Sequence, residues 1–362
     1  DKAAYAKWVK SHQPFHWFIQ FYGILTRGGF DVIIGNPPYA EYSAIRAQYR
    51  VHAVRCLESA NLYAFVIDRC TTIQQKRGFI GMIIQLSAFC TPRMRSFQDV
   101  WFESNGRSWL SFFDDRPGKL FDGLEHIRTA IAIGQRDHTT NRVCTSRYNK
   151  FATSQRAVLF PTLFYIESDN PRHGSSVLKV SSREEVGIVA KLWARTNTLD
   201  DLFVDRDTGS FVYYGYGYGY WGKILNFKPY FQGENVTTST GDKYVYCRKG
   251  IDRDVIVALM NSSIFYWFYT NYSDGHNFTK YVIGSMPFKY PGKNTEGKLQ
   301  SLCGRLMADL RLNASRKTAS YKATGKVIYD EFYPKHSKPI LDEIDTVLAE
   351  HYGFTAEELD FI

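Results

Sequence analysis

One junction constrains this chain more than any other. Gly28-Gly29-Phe30-Asp31-Val32-Ile33-Ile34-Gly35 runs directly into Asn36-Pro37-Pro38-Tyr39. The glycine pair supplies a turn, and Phe30 to Ile34 reads as a buried strand. Two consecutive prolines cannot donate to a sheet ladder, so residues 36–39 form a loop at the C-terminal end of that strand. Open α/β sheets bind their ligands at such ends. The pattern therefore predicts an α/β fold with a site at Asn36-Tyr39.

The residues that follow extend this reading. Residues 61–76 show helical spacing through Leu62, Phe65, Val66, Cys70 and Ile73, and Arg77-Gly78 closes that helix. Residues 79–86 read as a second buried strand, with further strands near 109–114 and 129–135. Buried apolar strands alternating with helices predict a mostly parallel, doubly wound sheet. Beyond about residue 178 the texture changes. Ser182-Arg183-Glu184-Glu185 has the form of a capping box and opens a helix through Trp193. Short aromatic strands follow, with turn signals at Gly209, Gly233 and Gly241. Residues 252–269 carry a helical apolar pattern. The basic stretch 292–326 reads as a helix with mobile flanks, and Gly353 divides two short helices over 338–350 and 355–361.

Composition narrows the function classes. Across 362 residues, 45 Lys and Arg outnumber 36 Asp and Glu, giving a net charge of +9, which favours a polyanionic partner. Aromatics reach 16%, more than a core needs, and suit surfaces that stack on bases. Cys56, Cys70, Cys90, Cys144, Cys247 and Cys303 include no C-x-x-C pair, which argues against zinc and for reduced thiols in the cytoplasm. No apolar run approaches the roughly 18–20 residues of a membrane span, and no signal-peptide pattern opens the chain.

The Asn36-Tyr39 loop suits a planar ring bearing an exocyclic amine. The Asn36 side-chain oxygen and the Pro37 carbonyl can each accept a hydrogen bond from an amino group, and both bonds turn its nitrogen lone pair towards an electrophile. The Tyr39 ring can stack on the base, and Pro38 helps to keep the acceptors positioned. Taken blandly, the same residues are a Pro-Pro turn beside a surface tyrosine. Gly217, Gly219 and Gly222 spell G-x-G-x-x-G with Asp242 downstream. A dinucleotide fingerprint needs a helix next, whereas Lys223 to Phe231 reads as strand. The segment is better read as a Tyr-rich β-ribbon that meets DNA or packs on its own domain. Lys223 and Lys228 are its candidate phosphate contacts, and Tyr216, Tyr218, His276 and Asn277 are candidate base-edge readers. Glu296-Gly297-Lys298 is the one loose nuclease-like triplet, and its basic surroundings argue against that role. No metal site is expected.

The segment PFHWFIQFYGILTRGGFDVIIGNPPY resembles the lead into motif IV of amino-methylating DNA methyltransferases. It is most similar to N6-adenine enzymes of type IIG restriction–modification and phage-defence systems. NLYAFVIDRC resembles their motif V, RGFIGMIIQLSAF motif VI and KLFDGLEHIRTAIAIG motif VIII. FVYYGYGYGYWGKILNFKPYF and ALMNSSIFYWFYTNYSDGHNF resemble a TaqI-type target-recognition domain. The resemblance implies that Asn36, Pro37, Pro38 and Tyr39 act on a flipped adenine. It also places Phe121 on the other side of the base, unless it is an ordinary core residue, and Phe65 against the cofactor, S-adenosylmethionine.

The implied fold is a partial Rossmann-like methyltransferase sheet over residues 1–178, followed by an α+β target-recognition domain over 179–295 and a helical extension over 296–362. The glycine-rich cofactor turn of that family has no counterpart here. The expectation is therefore an N-terminal cofactor-binding half, supplied by the same or a separate polypeptide, with double-stranded DNA as partner. Two other readings stay open. One is a non-catalytic DNA-recognition module serving a separate catalytic chain. The other is an NPPY methylase of protein or RNA.

Overall fold

The computed structural model describes residues 1–123, 126–137, 139–168, 172–218, 221–239, 241–322 and 324–362. Gly219 and Tyr220 of the Tyr-rich segment, and Leu124 and Glu125 of the motif VIII match, lie outside the described residues. Two compact units are present. The first comprises Asp1–Ser146, Lys150–Arg156 and Glu167–Ser175, and the second Arg147–Asn149, Ala157–Ile166 and Ser176–Ile362.

The first unit begins with helices α1 (Lys2–His12), α2 (Trp17–Gln20) and α3 (Tyr22–Leu25), none of which buries a residue. Strand β1 (Phe30–Gly35) follows, then α4 (Leu62–Ile73), β2 (Gln74–Gln85), α5 (Arg95–Ser104), β3 (Arg107–Phe113), β4 (Thr129–Gln135), β5 (Arg142–Asn149), β6 (Ile166–Ser168) and β7 (Arg172–His173). Asn61 caps α4 by accepting from the Tyr63 N–H, satisfying a donor that the first turn leaves open. Phe65, Cys70 and Ile73 turn inwards as expected, whereas Val66 is exposed. Gly29 enters β1 at φ +114°, and a Cβ there would lie 2.3 Å from the Ile73 carbonyl oxygen, so only glycine fits.

The sheet order is β1-β2-β4-β3-β5-β6. β1 and β2 are parallel, but β4 pairs antiparallel with both β2 and β3. The expectation of a mostly parallel doubly wound sheet is thus corrected to a mixed sheet. β3 returns through residues 114–128 into β4 without a crossover helix, which forces the reversal. β1, β2 and β3 still run in one direction, so their C-terminal ends share one edge.

The second unit contains β8 (Ser176–Val177), α6 (Arg183–Trp193), β9 (Phe203–Val204), β10 (Phe211–Gly215), β11 (Phe231–Gly233), β12 (Asp242–Cys247), α7 (Arg253–Asn261), α8 (Ser263–Tyr272), α9 (Lys280–Gly284), α10 (Lys293–Leu312), β13 (Ser315–Tyr321), β14 (Gly325–Glu331), α11 (Lys338–Tyr352) and α12 (Ala356–Phe361). Both halves of the Ser182/Glu185 capping box are formed. Ser262 ends α7 and caps α8, so the 252–269 pattern is two helices. The 292–326 stretch is corrected as well: after α10 the chain forms the antiparallel β13–β14 pair rather than a mobile flank. β14 also pairs with β11, and β10-β12-β9 make a separate antiparallel sheet. One apolar core joins α6, α7, α8, α10 and α11, so residues 296–362 share the packing of 179–295.

Candidate active site and nucleic-acid surface

Asn36 to Tyr39 leave the C-terminal end of β1. Asn36 and Pro38 are exposed, Pro37 is buried and Tyr39 half-buried. The last β1–β2 pair is Gly35 with Met82. One residue further along β2, the Ile83 carbonyl accepts a hydrogen bond from the Tyr39 hydroxyl at 3.1 Å. The Tyr39 ring also meets Tyr63 edge-on, with centroids 6.3 Å apart. Burial pushes the Tyr39 hydroxyl up to about 12, so it keeps its proton and stays a donor.

Beyond Tyr39 the loop is pinned to the start of α4. Leu62 N–H donates to the Ala40 carbonyl at 2.9 Å, and Tyr42 N–H to the Ala60 carbonyl at 2.8 Å. Glu41 pairs with Arg93 at 2.6 Å, although both are solvent-accessible and the pair contributes little. These anchors were missed in the sequence, because backbone carbonyls carry no residue signature. The outcome is a fixed loop presenting an exposed amide, Asn36, beside a fixed aromatic ring.

Phe121 is half-buried in the 114–128 loop, at the same sheet edge as Asn36-Tyr39. No ring pair joins it to Tyr39 among the described residues. In the order β1-β2-β4-β3 the two strand ends are three strand spacings apart, about 14 Å. The base of the loop is held by Arg128, 3.2 Å from Asp114 and 3.3 Å from Asp115. Burial and the neighbouring Asp115 push the Asp114 carboxyl up, while Arg128 and Lys150 oppose that shift.

Phe65, the expected cofactor contact, is 6% exposed and forms a T-shaped pair with the Tyr42 ring, centroids 5.4 Å apart, so little of it is open to solvent. Nor does any described strand pass through a glycine-rich turn into a helix. After Gly222 no helix forms, and the next regular element is β11. Among the described residues no group of three or more His, Cys, Asp or Glu is placed to hold a metal ion, all six cysteines are free thiols, and no helix is long and apolar enough to cross a membrane.

In the second unit, three candidate readers come together. The Tyr216 hydroxyl donates to Asn277 Oδ1 at 2.6 Å, and Asn277 Nδ2 to Asp274 Oδ2 at 3.3 Å. Asp274 Oδ1 also accepts the backbone N–H groups of His276 and Asn277. Tyr216 and His276 are exposed. Asp274 organises the group and was not singled out from sequence, where an Asx turn looks like any polar loop. Tyr218 does not belong with them. It is 6% exposed, 4.5 Å from both Tyr269 and Phe278, and desolvation drives its hydroxyl well above the ordinary tyrosine value. As a core residue it cannot reach a base edge. Lys228 is exposed as a phosphate contact requires. Lys223 is instead half-buried, with Nζ 5.4 Å from the Tyr213 ring centre and its pKa lowered by desolvation.

Comparison with known proteins adds a second line of information. Residues 2–117 match the family described as Eco57I restriction-modification methylase. A 75-residue stretch is 33% identical to a protein of Methanocaldococcus jannaschii that carries the name type II restriction enzyme and methyltransferase. That stretch is 21% of this chain and 6% of the relative, so the chain aligns with only a small part of that protein's length. The fold is also similar to that of the type IIL restriction-modification enzyme MmeI, solved with DNA. There the TM-score is 0.49 and identity 9%, over 90% of this chain and 55% of that one. The DNA-bound type ISP restriction-modification enzyme LlaBIII gives a TM-score of 0.33 and 14% identity, over 52% of this chain and 14% of that one. The family match over residues 2–117 spans the segment that contains Asn36-Tyr39.

Proposed function

We propose that this chain carries the target-base loop and a DNA-reading unit of an N6-adenine DNA methyltransferase of restriction–modification or phage-defence type. In the complete enzyme the methyl group would come from S-adenosylmethionine. The observation that carries this reading is the anchored Asn36-Tyr39 loop at the end of β1, within the segment that matches the methylase family. On this reading an adenine leaves the duplex and lies against Tyr39. Asn36 Oδ1 and the Pro37 carbonyl accept from its N6 amine and hold the lone pair in line for transfer. Positioning supplies most of the catalysis, and the chain's own residues need only orient the base.

Because Phe65 is covered, the cofactor is assigned to structure that completes the first unit alongside β1. Among the described residues β1 stands at one end of the sheet order, with one edge unpaired. Val32 and Ile34, which share a face of that strand, are 56% and 82% exposed. Bare apolar residues on an edge strand mark a surface built to be covered.

The test uses the full-length protein and duplex DNA, with N6-methyladenine measured by mass spectrometry of digested nucleosides. Asn36→Ala should cut methyl transfer by ~10²–10³, by analogy with loss of a positioned oxyanion donor, and leave DNA affinity unchanged. Methylation on cytosine, or none on DNA, refutes the reading.

A further inference from the structure

The second unit contains a half-open cleft of about 450 Å³, within the size range of small-ligand sites. Its walls come from two sheets. The β11-β14-β13 sheet contributes Phe231, Tyr329 and Tyr321, and Tyr230 stands beside them. Asp242, at the start of β12, and Lys223 line the cleft with these rings.

The aromatic wall is fixed in place. Arg316 lies 3.6 Å from the centre of the Tyr230 ring and bonds Asp330 at 2.8 Å, while the Tyr230 hydroxyl donates to Gln232. The polar residues are oriented too. Asp242 accepts from the Tyr213 hydroxyl, and Lys223 adopts φ 46°, a left-handed conformation that costs a non-glycine residue energy. No ion pair joins Lys223 to an acid among the described residues, so a lysine and an aspartate face the cleft with bonding capacity to spare. Asp330 and Glu331 are paired with Arg316 and Lys317 at the base of the β13–β14 hairpin, whereas Lys322 and Lys326 stand exposed at its tip. Glu234, the acid nearest the tip, accepts the Lys326 backbone N–H.

Aromatic rings bind a planar heterocycle, an aspartate accepts from its amino group, and lysines take its phosphate. We propose that this cleft receives one unstacked nucleotide of bound DNA, its base among Tyr230, Tyr321 and Tyr329 and its phosphate on the exposed lysines of the hairpin tip, Lys322 and Lys326. This is separate from the base at Asn36-Tyr39, and it rests on the reading of the second unit as a DNA binder.

The experiment compares binding of the whole chain, by fluorescence anisotropy, to a duplex and to the same duplex with a single bulged base. A nucleotide already free of the stack spares the unstacking cost, so the bulge should bind about tenfold tighter. Tyr321, 56% exposed, can change without disturbing the core. Tyr321→Ala should remove most of the preference and leave plain-duplex affinity within about twofold, and Tyr321→Phe should restore it. Equal affinity for both duplexes, or a preference that survives Tyr321→Ala, overturns the proposal while the DNA-binding reading stands. If neither duplex binds, the DNA-binding reading falls and the proposal falls with it. A response to free dAMP without any bulge preference would assign the cleft to a small nucleotide and refute the DNA role.

Discussion

Tyr39 offers the sharpest test of the target-base loop, because its ring and its hydroxyl do separable things. The hydroxyl makes one hydrogen bond, to the Ile83 carbonyl at 3.1 Å. Tyr39→Phe removes that bond alone, a loss of about 0.5–1.5 kcal/mol, and the half-buried carbonyl can turn to water. Its ring still meets Tyr63 and still offers a face to the base. Tyr39→Ala also removes the edge-on contact with Tyr63, about 0.5–1.5 kcal/mol, and any base stacking, about 1–3 kcal/mol. Read as transition-state energy, the stacking loss alone slows transfer roughly 5- to 150-fold. Single-turnover methylation by the complete enzyme, with saturating DNA, separates the two variants. Tyr39→Phe should stay within a few fold of wild type and Tyr39→Ala should fall by one to two orders of magnitude. Equal damage from both would show that the hydroxyl anchor, not the ring, is what matters. Full activity in Tyr39→Ala would remove the residue from the site.

Three further outcomes follow from the geometry. Gly29→Ala places a methyl 2.3 Å from the Ile73 carbonyl at φ +114° and should destabilise the first unit by about 2 kcal/mol or more, visible as a lower melting temperature. Lys228→Ala should reduce the slope of log affinity against log salt by about one, whereas Lys223→Ala, half-buried beside Tyr213, should change the slope less. Burial raises Tyr39 to about 12, so the unfolded chain loses that proton near pH 10 before the folded one does. Its contribution is complete below pH 10 and is lost as pH rises to about 12. The stability gap between wild type and Tyr39→Phe should accordingly close between urea titrations at pH 9 and pH 12.

Features with local causes were legible in the sequence. The Ser182/Glu185 box and the Gly353 stop, at φ 73°, follow from caps that satisfy nearby backbone groups. The strand before Asn36 follows from its apolar run. Direction was not legible: the alternation in Thr129–Gln135 is the same whichever way the strand runs, and only the missing crossover helix reverses β4. Facing failed for the tyrosines. Tyr214 and Tyr218 are buried while Tyr216 between them is exposed: both faces of β10 are covered, so the strand shows no alternation, and it ends at Gly215, before Tyr216. The β13–β14 hairpin was missed for a related reason. Neither face of Ser315–Tyr321 is buried, so no apolar alternation marks it as strand.

The unpaired edge of β1 bears on how such a site would assemble. Val32 and Ile34 stand on the strand that delivers Asn36, three and one residues before Gly35 ends it. Fully covering each side chain is worth about 1.5–3 kcal/mol. Whatever covers Ile34 must come to rest about 7 Å along the strand from Asn36, the proposed base-orienting amide, two residues further on. Structure that packs alongside β1 would therefore gain its docking energy close to the proposed site. A bound cofactor half and a correctly placed Asn36 would then be one event rather than two. On that account, replacing Ile34 by Asp, which leaves every contact of the Tyr39 anchor intact, should lower methyl transfer by weakening assembly. Raising the concentration of a separately supplied cofactor half should recover the rate, whereas a rate that stays low at saturation would place the defect in Asn36 itself.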